Sequence, residues 1–361
     1  MKAAVLHEVN QPLQIEEVDI ADPGPREVLV RTRASGVCHS DLHFVEGLYT
    51  APMPILLGHE AAGTVEAVGS QVHYVSPGDR VICCLSVFCG VCERCTTGRT
   101  VLCTRNGLIR GPDETPRLSQ GGEPVTQFAN LGAYADMMLV HENSLVKIEQ
   151  DIGFEQMALI GCGATTGLGA ALNTAKVEPG STVAVIGAGG VGLNAIQGAA
   201  LMNASRVIVV DIHDHKLEFA YKFGATDVIN AKDRDAVDVI HEMTGDGVDF
   251  AFDTFGHKLT TEQAYKATRK GGTTVIVGLA PDGMNAEIPL VELVRNQKTL
   301  VGSYYGSASP HETFRKLLSF YKQGRIDVGG MVTRRYKLDE INMAYEALER
   351  AEDGRGVIIF D

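Results

Sequence analysis

The sequence predicts an α/β protein in which a small, largely antiparallel β-barrel is joined to a doubly wound parallel sheet. Three observations predict it. Short strand-like runs broken by glycine and proline extend to about residue 160, strands alternate with helices from Thr182 onward, and a glycine-rich turn lies between the first such strand and its helix. At 361 residues the chain is longer than one hydrophobic core usually supports, so two domains are expected.

The first part carries Glu27-Val28-Leu29-Val30-Arg31-Thr32, Gly63-Thr64-Val65-Glu66-Ala67-Val68 and Asp79-Arg80-Val81-Ile82, punctuated by Pro23-Gly24-Pro25 and Pro77-Gly78. Such spacing suits hairpins of a small barrel. The pattern then changes. Thr182-Val183-Ala184-Val185-Ile186 is apolar without alternation, as a strand buried on both faces must be. A helical stretch follows through Ala200. Further strands are read at Arg206–Asp211, Asp227–Asn230, Val248–Asp253, Thr273–Gly278 and near Thr299–Val301, with helices between them. After about residue 305 an amphipathic helical pattern leads to a last strand, Arg355–Phe360, read as returning to the first domain. The domains are therefore placed at 1–163 with 305–361, and at 164–304.

Composition narrows the function classes. The chain carries 45 acidic and 32 basic side chains, a formal charge of −13, and no Lys/Arg run that would track a nucleic acid. No stretch reaches the ~20 apolar residues of a membrane helix, and Met1-Lys2-Ala3-Ala4-Val5-Leu6-His7-Glu8 turns polar too early for a signal peptide. The expectation is a cytoplasmic protein with neither nucleic-acid nor membrane partners. Thiols stay reduced there, so the eight cysteines read as metal ligands or catalytic groups before disulfides.

Four of them, Cys89, Cys92, Cys95 and Cys103, fall within fifteen positions. Short spacings let thiolates close a tetrahedron from one lobe of chain, and four sulfurs leave no open position, which makes a structural zinc site. Four buried packing cysteines are the competing reading, but the surrounding Gly, Thr and Arg mark a solvent-side loop. Cys83 and Cys84, beside Val81-Ile82, read as packing residues.

The turn Gly187-Ala188-Gly189-Gly190-Val191-Gly192 follows a buried strand and opens a helix, the context that makes Gly-x-Gly-x-x-Gly a Rossmann dinucleotide fingerprint. Gly187 permits the tight turn, Gly189 the approach of a pyrophosphate, and Gly192 the packing of helix on strand. Asp211 ends the next strand, 19 residues after Gly192. A carboxylate there accepts from a ribose 2′-hydroxyl and repels a 2′-phosphate, which favours NAD over NADP.

Cys38 in Gly36-Val37-Cys38-His39-Ser40-Asp41-Leu42-His43, His59 in Gly58-His59-Glu60, and Cys162 in Gly161-Cys162-Gly163 are each ambiguous alone. A lone Cys or His packs or sits exposed as readily as it ligates. Together with Pro77-Gly78-Asp79-Arg80-Val81, the four-cysteine lobe and the glycine turn, all in the same order, they make the chain resemble the medium-chain zinc-dependent alcohol dehydrogenases along its whole length. The two-zinc type and its dimeric, long-loop branch fit best, because of the long stretch between Cys103 and Cys162 that includes Gly111-Pro112-Asp113-Glu114.

The resemblance implies a GroES-like barrel carrying both zinc sites and a Rossmann domain for NAD. It implies a catalytic zinc on Cys38, His59 and Cys162 with a fourth position open, the ligand set for which alcohol dehydrogenase is the standing example. Glu60 matches the family's neighbouring carboxylate, and Asp41 a partner that fixes the ligating imidazole. Two thiolates offset the +2 charge and leave enough Lewis acidity to polarise an oxygen. Ser40 and His43 match a proton relay. His39 and Arg355 match groups near the cofactor pyrophosphate, Thr166 one near the nicotinamide, and Lys216 a contact to the adenosine ribose. Gly190 and Val191 complete the phosphate turn.

Tyr49, Leu85, Leu279 and Tyr304 match the substrate pocket. Leu85 stands where ethanol-active relatives carry an aromatic ring, which leaves room for a bulky or aromatic primary alcohol or its aldehyde. A homodimer is implied, joined through the edge strands of two Rossmann sheets. Two other activities are weighed beside this one: dehydrogenation of the formaldehyde–glutathione adduct, for which Glu46–Pro54 is poor in polar groups, and non-catalytic NAD binding. A zinc-free quinone reductase does not need the cysteines and histidine present here.

Overall fold

A computed structural model describes residues 1–104, 108–111, 113–149, 151–352 and 354–361, so Pro112 of the long stretch lies outside the described residues. The chain forms two compact units, Met1–Cys162 with Ser309–Phe314 and Val328–Asp361, and Gly163–Ala308 with Arg315–Asp327. The sequence placed all of 305–361 with the first unit. Residues 305–308 and 315–327 instead group with the second, where Gln197 accepts from the backbone of Asp327 at 2.6 Å.

The first unit is built on the strand Glu27–Gly36, which alternates buried and more open positions as a strand facing one core should. It pairs antiparallel with Glu60–Val68, with Met137–His141 and with the late strand Arg355–Ile359. Arg80–Cys83 and Leu145–Lys147 extend the sheet on one side, and Val332–Tyr336, a strand the sequence reading did not anticipate, on the other. Register decides what meets. Gly36 stands opposite Glu60 on one neighbour and opposite Val357 on the other. A Cβ on Gly36 would lie 3.0 Å from Glu60 Cβ and still closer to its carboxylate, so only glycine leaves room for that side chain. Among the described residues, one buried cluster of the unit gathers around Leu6, Leu56, Leu57 and Tyr134, and another around Val30, Val65, Val81 and Met138.

The second unit is a six-stranded parallel sheet in the order Asp227–Asn230, Arg206–Asp211, Thr182–Ile186, Val248–Asp253, Thr268–Ile276, Thr299–Gly302. The order reverses at Thr182–Ile186, the topological switch point where such sheets bind dinucleotides. The fifth strand begins earlier than the sequence suggested, at Thr268, through an irregularity opposite Val248–Phe250.

One helical stretch was hidden. Phe154–Leu159, Thr165–Gly169 and the π-turns Ile160–Ala164 and Ala170–Ala175 form a nearly continuous helix rich in glycine. Gly161, Gly163, Gly167 and Gly169 lower helix propensity enough to mask it. Cys162 sits in the first π-turn, the kind of local widening that often marks a functional position.

Candidate functional site

Cys38 is the N-cap of the short helix His39–Val45, which also carries Ser40, Asp41 and His43. His59 follows the turn at Gly58, directly before the strand that begins at Glu60. The ligand atoms of Cys38, His59 and Glu60 lie within 4.8 Å of one another, and all three residues are buried. Cys162 is not part of that trio by distance, but its thiol is hydrogen-bonded to His59 and feels the charge of Cys38 and Glu60. Cys162 thus adjoins the trio through His59. Two sulfurs, an imidazole and a carboxylate are a donor set suited to zinc.

Asp41 fixes the imidazole. Its carboxylate oxygens lie 3.1 and 3.0 Å from His59 Nδ1, so Nδ1 keeps its proton and Nε2 is the nitrogen at which a cation would displace one. Burial alone would drive the His59 pKa down, but the charges of Asp41, Cys162 and Cys38 outweigh it and raise it well above the ordinary value. Burial pushes the Cys162 thiol up to about 11, although His59 pulls the other way. A divalent cation among these groups would deprotonate the thiol outright.

Glu60 is fully buried and pairs with Arg355, itself only 6% exposed. The pair is close, joining Arg355 Nη2 to Glu60 Oε2. The second carboxylate oxygen, Oε1, has no hydrogen-bond partner among the described residues. An orphaned buried oxygen beside two thiols and an imidazole is what a cation would satisfy. Against burial, the charges of Glu60 and Cys38 raise the Arg355 pKa.

His43 stands one turn after Ser40, on the same side of the helix. Its Nδ1 is buried with no hydrogen-bond partner among the described residues, and burial lowers its pKa. The ring of Tyr49 packs 5.4 Å from that of His43. His39 is exposed at the start of the helix. Leu85 is partly buried against the cluster that contains Val81 and Cys83. Cys83 and Cys84 are wholly buried, as packing residues would be.

Sequence reasoning missed two aromatic residues. Phe128 meets the His59 ring edge to face, with centroids 5.5 Å apart. The Tyr134 hydroxyl lies 3.2 Å from Asp41 Oδ2. Each lies far along the chain from its partner, and no local spacing signals either.

The four-cysteine lobe is compact. Cys92 Sγ lies 3.4 Å from Cys95 Sγ and 3.9 Å from Cys103 Sγ, and Cys89 Sγ lies 3.9 Å from Cys95 Sγ. Zinc–sulfur bonds of about 2.3 Å place tetrahedral sulfurs about 3.8 Å apart, whereas a disulfide would bring them to about 2.05 Å. Hydrogen bonds to sulfur, led by one from the Cys95 backbone, hold Cys92 at about 6, while burial and the Cys92 thiol push Cys95 up to about 12.

In the second unit the glycine turn has the form a pyrophosphate needs. Gly187 has φ +99°, and a Cβ on Gly192 would strike the Gly187 carbonyl oxygen at 1.9 Å. Nothing lies within 4 Å of where a Cβ on Gly189 would point, which leaves the turn open on that side. Gly190 and Val191 open the helix Gly190–Leu201. Asp211 Oδ2 accepts from the Ala188 N–H at 2.8 Å, and Oδ1 from the Ile212 and His213 N–H groups, so one carboxylate braces both loops. Lys216 lies on the following helix, Asp214–Ala220, and Thr166 on Thr165–Gly169. Leu279 and Tyr304 are exposed on the same unit, at 55% and 48%.

The family model for the alcohol dehydrogenase GroES-like domain matches residues 24–150, and that for zinc-binding dehydrogenases matches residues 190–323. An alcohol dehydrogenase zinc-binding domain protein of Burkholderia ambifaria is 34% identical, with TM-score 0.94 over 100% of this chain and 98% of that one. The benzyl alcohol dehydrogenase of Acinetobacter calcoaceticus is 33% identical, with TM-score 0.94 over 100% of this chain and 99% of its own. A Sinorhizobium meliloti 1021 chain described as a zinc-binding dehydrogenase and bound to NADP is 28% identical, with TM-score 0.82 over 99% of both chains.

Proposed function

Given that the chain belongs to the medium-chain zinc-dependent alcohol dehydrogenase family, we propose that it oxidises a bulky or aromatic primary alcohol to its aldehyde with NAD, and runs the reverse reaction. The observation that carries this reading is the grouping of the Cys38, His59 and Glu60 ligand atoms within 4.8 Å of one another, with Cys162 hydrogen-bonded to His59 and Asp41 holding the imidazole. In this reading Cys38, His59 and Cys162 hold the catalytic zinc and Cys89, Cys92, Cys95 and Cys103 the structural one. A zinc ion held at the first site supplies Lewis acidity toward an oxygen substituent of the substrate.

The chain's residues supply the rest. Glu60, compensated by Arg355, keeps a carboxylate close to the metal without a bare buried charge. The alcohol's hydroxyl proton passes to Ser40 and on toward His43. The imidazole is held near its neutral form by burial and so is ready to accept it. A nicotinamide bound by the second unit would accept the carbinol hydrogen together with both bonding electrons. One alcohol and one NAD⁺ thus become one aldehyde, one NADH and one proton. Gly187–Gly192 would cradle a pyrophosphate, and Asp211, turned toward the same loop, would disfavour a 2′-phosphate. The likeness to a benzyl alcohol dehydrogenase and the leucine at position 85 both support a large substrate.

We place the protein in the cytoplasm as a homodimer. No helix among the described residues is long and apolar enough to cross a membrane. The outer strand Thr299–Gly302 of the parallel sheet exposes Leu300, and the adjoining helix Leu290–Arg295 exposes Leu290, Val291 and Val294 at 66–74%, a face suited to a second copy of this chain.

The test is NAD reduction by benzyl alcohol, octanol and ethanol, on protein whose zinc has been counted, with NADH and NADPH binding measured by fluorescence. Two zinc ions per chain, tighter NADH binding and a higher kcat/KM for benzyl alcohol are expected. Zinc-replete protein that reduces NAD with none of the three, or that prefers ethanol, overturns the reading.

A further inference from the structure

Asp41 is wholly buried, and a buried carboxylate is stable only with donors on its oxygens. The Gly58 N–H reaches Oδ1 at 2.9 Å, His59 Nδ1 is shared between the two oxygens, and the Tyr134 hydroxyl reaches Oδ2 at 3.2 Å. The Tyr134 oxygen is also 3.2 Å from the Gly36 carbonyl and hydrogen-bonds the Tyr345 hydroxyl, so its single proton has a choice of acceptors. The ionised carboxylate is the strongest one, because a charge-assisted bond is worth about twice a neutral one.

The rest of Tyr134 is fully buried among Leu6, Ile55, Leu57 and Val37, and the ring of Tyr345 packs against it edge-on at 6.2 Å. A phenylalanine would fill that space equally well. The hydroxyl adds desolvation cost and returns it only through these bonds.

We infer that Tyr134 is a positioning residue for His59, acting through Asp41: its hydroxyl pins Oδ2, so the carboxylate grips Nδ1–H in one orientation and Nε2 stays aimed at the point shared by Cys38 and Glu60. The inference rests on the reading that His59 ligates zinc. Removing a partner directly bonded to a ligating histidine costs about 10–100-fold in metal affinity, and one bond farther out the loss should be about 3–10-fold.

The experiment measures zinc affinity by chelator competition on the full-length protein, with the site identified as the one lost in His59→Ala. Tyr134→Phe should weaken that site about 3–10-fold, leave the four-cysteine site unchanged, and alter the visible absorption of the cobalt-substituted protein. In an Asp41→Asn background the same substitution should add nothing further. Genetically encoded 4-aminophenylalanine at position 134, which returns an N–H donor, should restore the affinity, and it remains informative if Tyr134→Phe does not fold. Unchanged affinity and spectrum in Tyr134→Phe, an equal loss in the Asp41→Asn background, or failed rescue by a folded 4-aminophenylalanine protein overturns the inference. If the unmodified protein binds no metal that His59→Ala abolishes, the metal reading itself falls, and that outcome is distinct from the others.

Discussion

Replacing Arg355 with methionine should destabilise the first unit, and more in the zinc-free protein than in the zinc-loaded one. Glu60 is fully buried, its Oε1 has no hydrogen-bond partner among the described residues, and its Oε2 is held by Arg355. Methionine fills much of the volume but leaves the carboxylate without its counter-charge. Breaking a buried ion pair from one side costs about 3–5 kcal/mol, because the remaining charge stays desolvated and uncompensated. The carboxylate also lies within 4.8 Å of the Cys38 and His59 ligand atoms, so a dication there would take over part of the compensation. The expected loss is about 3–5 kcal/mol without zinc, and smaller by at least about 1 kcal/mol with it. Glu60→Gln combined with Arg355→Met should recover most of the loss, since removing both charges is close to neutral. Urea titration followed by circular dichroism gives the stability, and hydrogen exchange of the peptide containing Arg355–Ile359 localises it. A loss under about 1 kcal/mol in the zinc-free variant, or a double variant as unstable as the single, would show that Glu60 does not depend on this partner.

Four further outcomes are expected. Leu85→Phe should lower kcat/KM for benzyl alcohol relative to ethanol by about tenfold or more, as lost pocket volume does; an unchanged ratio would remove Leu85 from the pocket. Cys103→Ser should cost one zinc per chain by mass spectrometry while NAD-linked turnover falls less than it does in Cys162→Ala. If the proposed homodimer forms, Val294→Glu should convert it to monomer in light scattering, and a monomeric parent protein would end that reading at once. Burial, helped by Arg26, holds the His141 imidazole at about 4, below the ~6.5 of an unfolded chain. Its contribution to stability is therefore full above about pH 6.5 and is lost as pH falls toward 4, on the order of 3 kcal/mol in all. His141→Asn, which keeps an acceptor for the Asn143 N–H, should flatten the slope of stability against pH across that window.

What the sequence disclosed and what it withheld divide along a physical line. The four-cysteine lobe was legible because all its cysteines lie within fifteen positions, and the glycine turn because its constraints are local: a positive φ at Gly187 and the close approach of Gly192 to the Gly187 carbonyl. The parallel strands were legible because burial on both faces leaves unbroken apolar runs. The helix that carries Cys162 was not, because its glycines serve contacts and not propensity; a Cβ on Gly161 would lie 3.0 Å from the Cys83 carbonyl oxygen. Phe128 and Tyr134 were invisible because they reach the site across the fold, Tyr134 being 93 positions from Asp41. The pairing of Glu60 with Arg355, 295 positions apart, was readable only through resemblance. Strand register explains why. Gly36 faces Glu60 on one side and Val357 on the other, and a slip of a single residue in either pairing would turn Glu60 or Arg355 to the opposite face of the sheet. The centre is thus specified less by the spacing of its own residues than by the hydrophobic alternation of the strand Glu27–Gly36, which sets the register that brings them together.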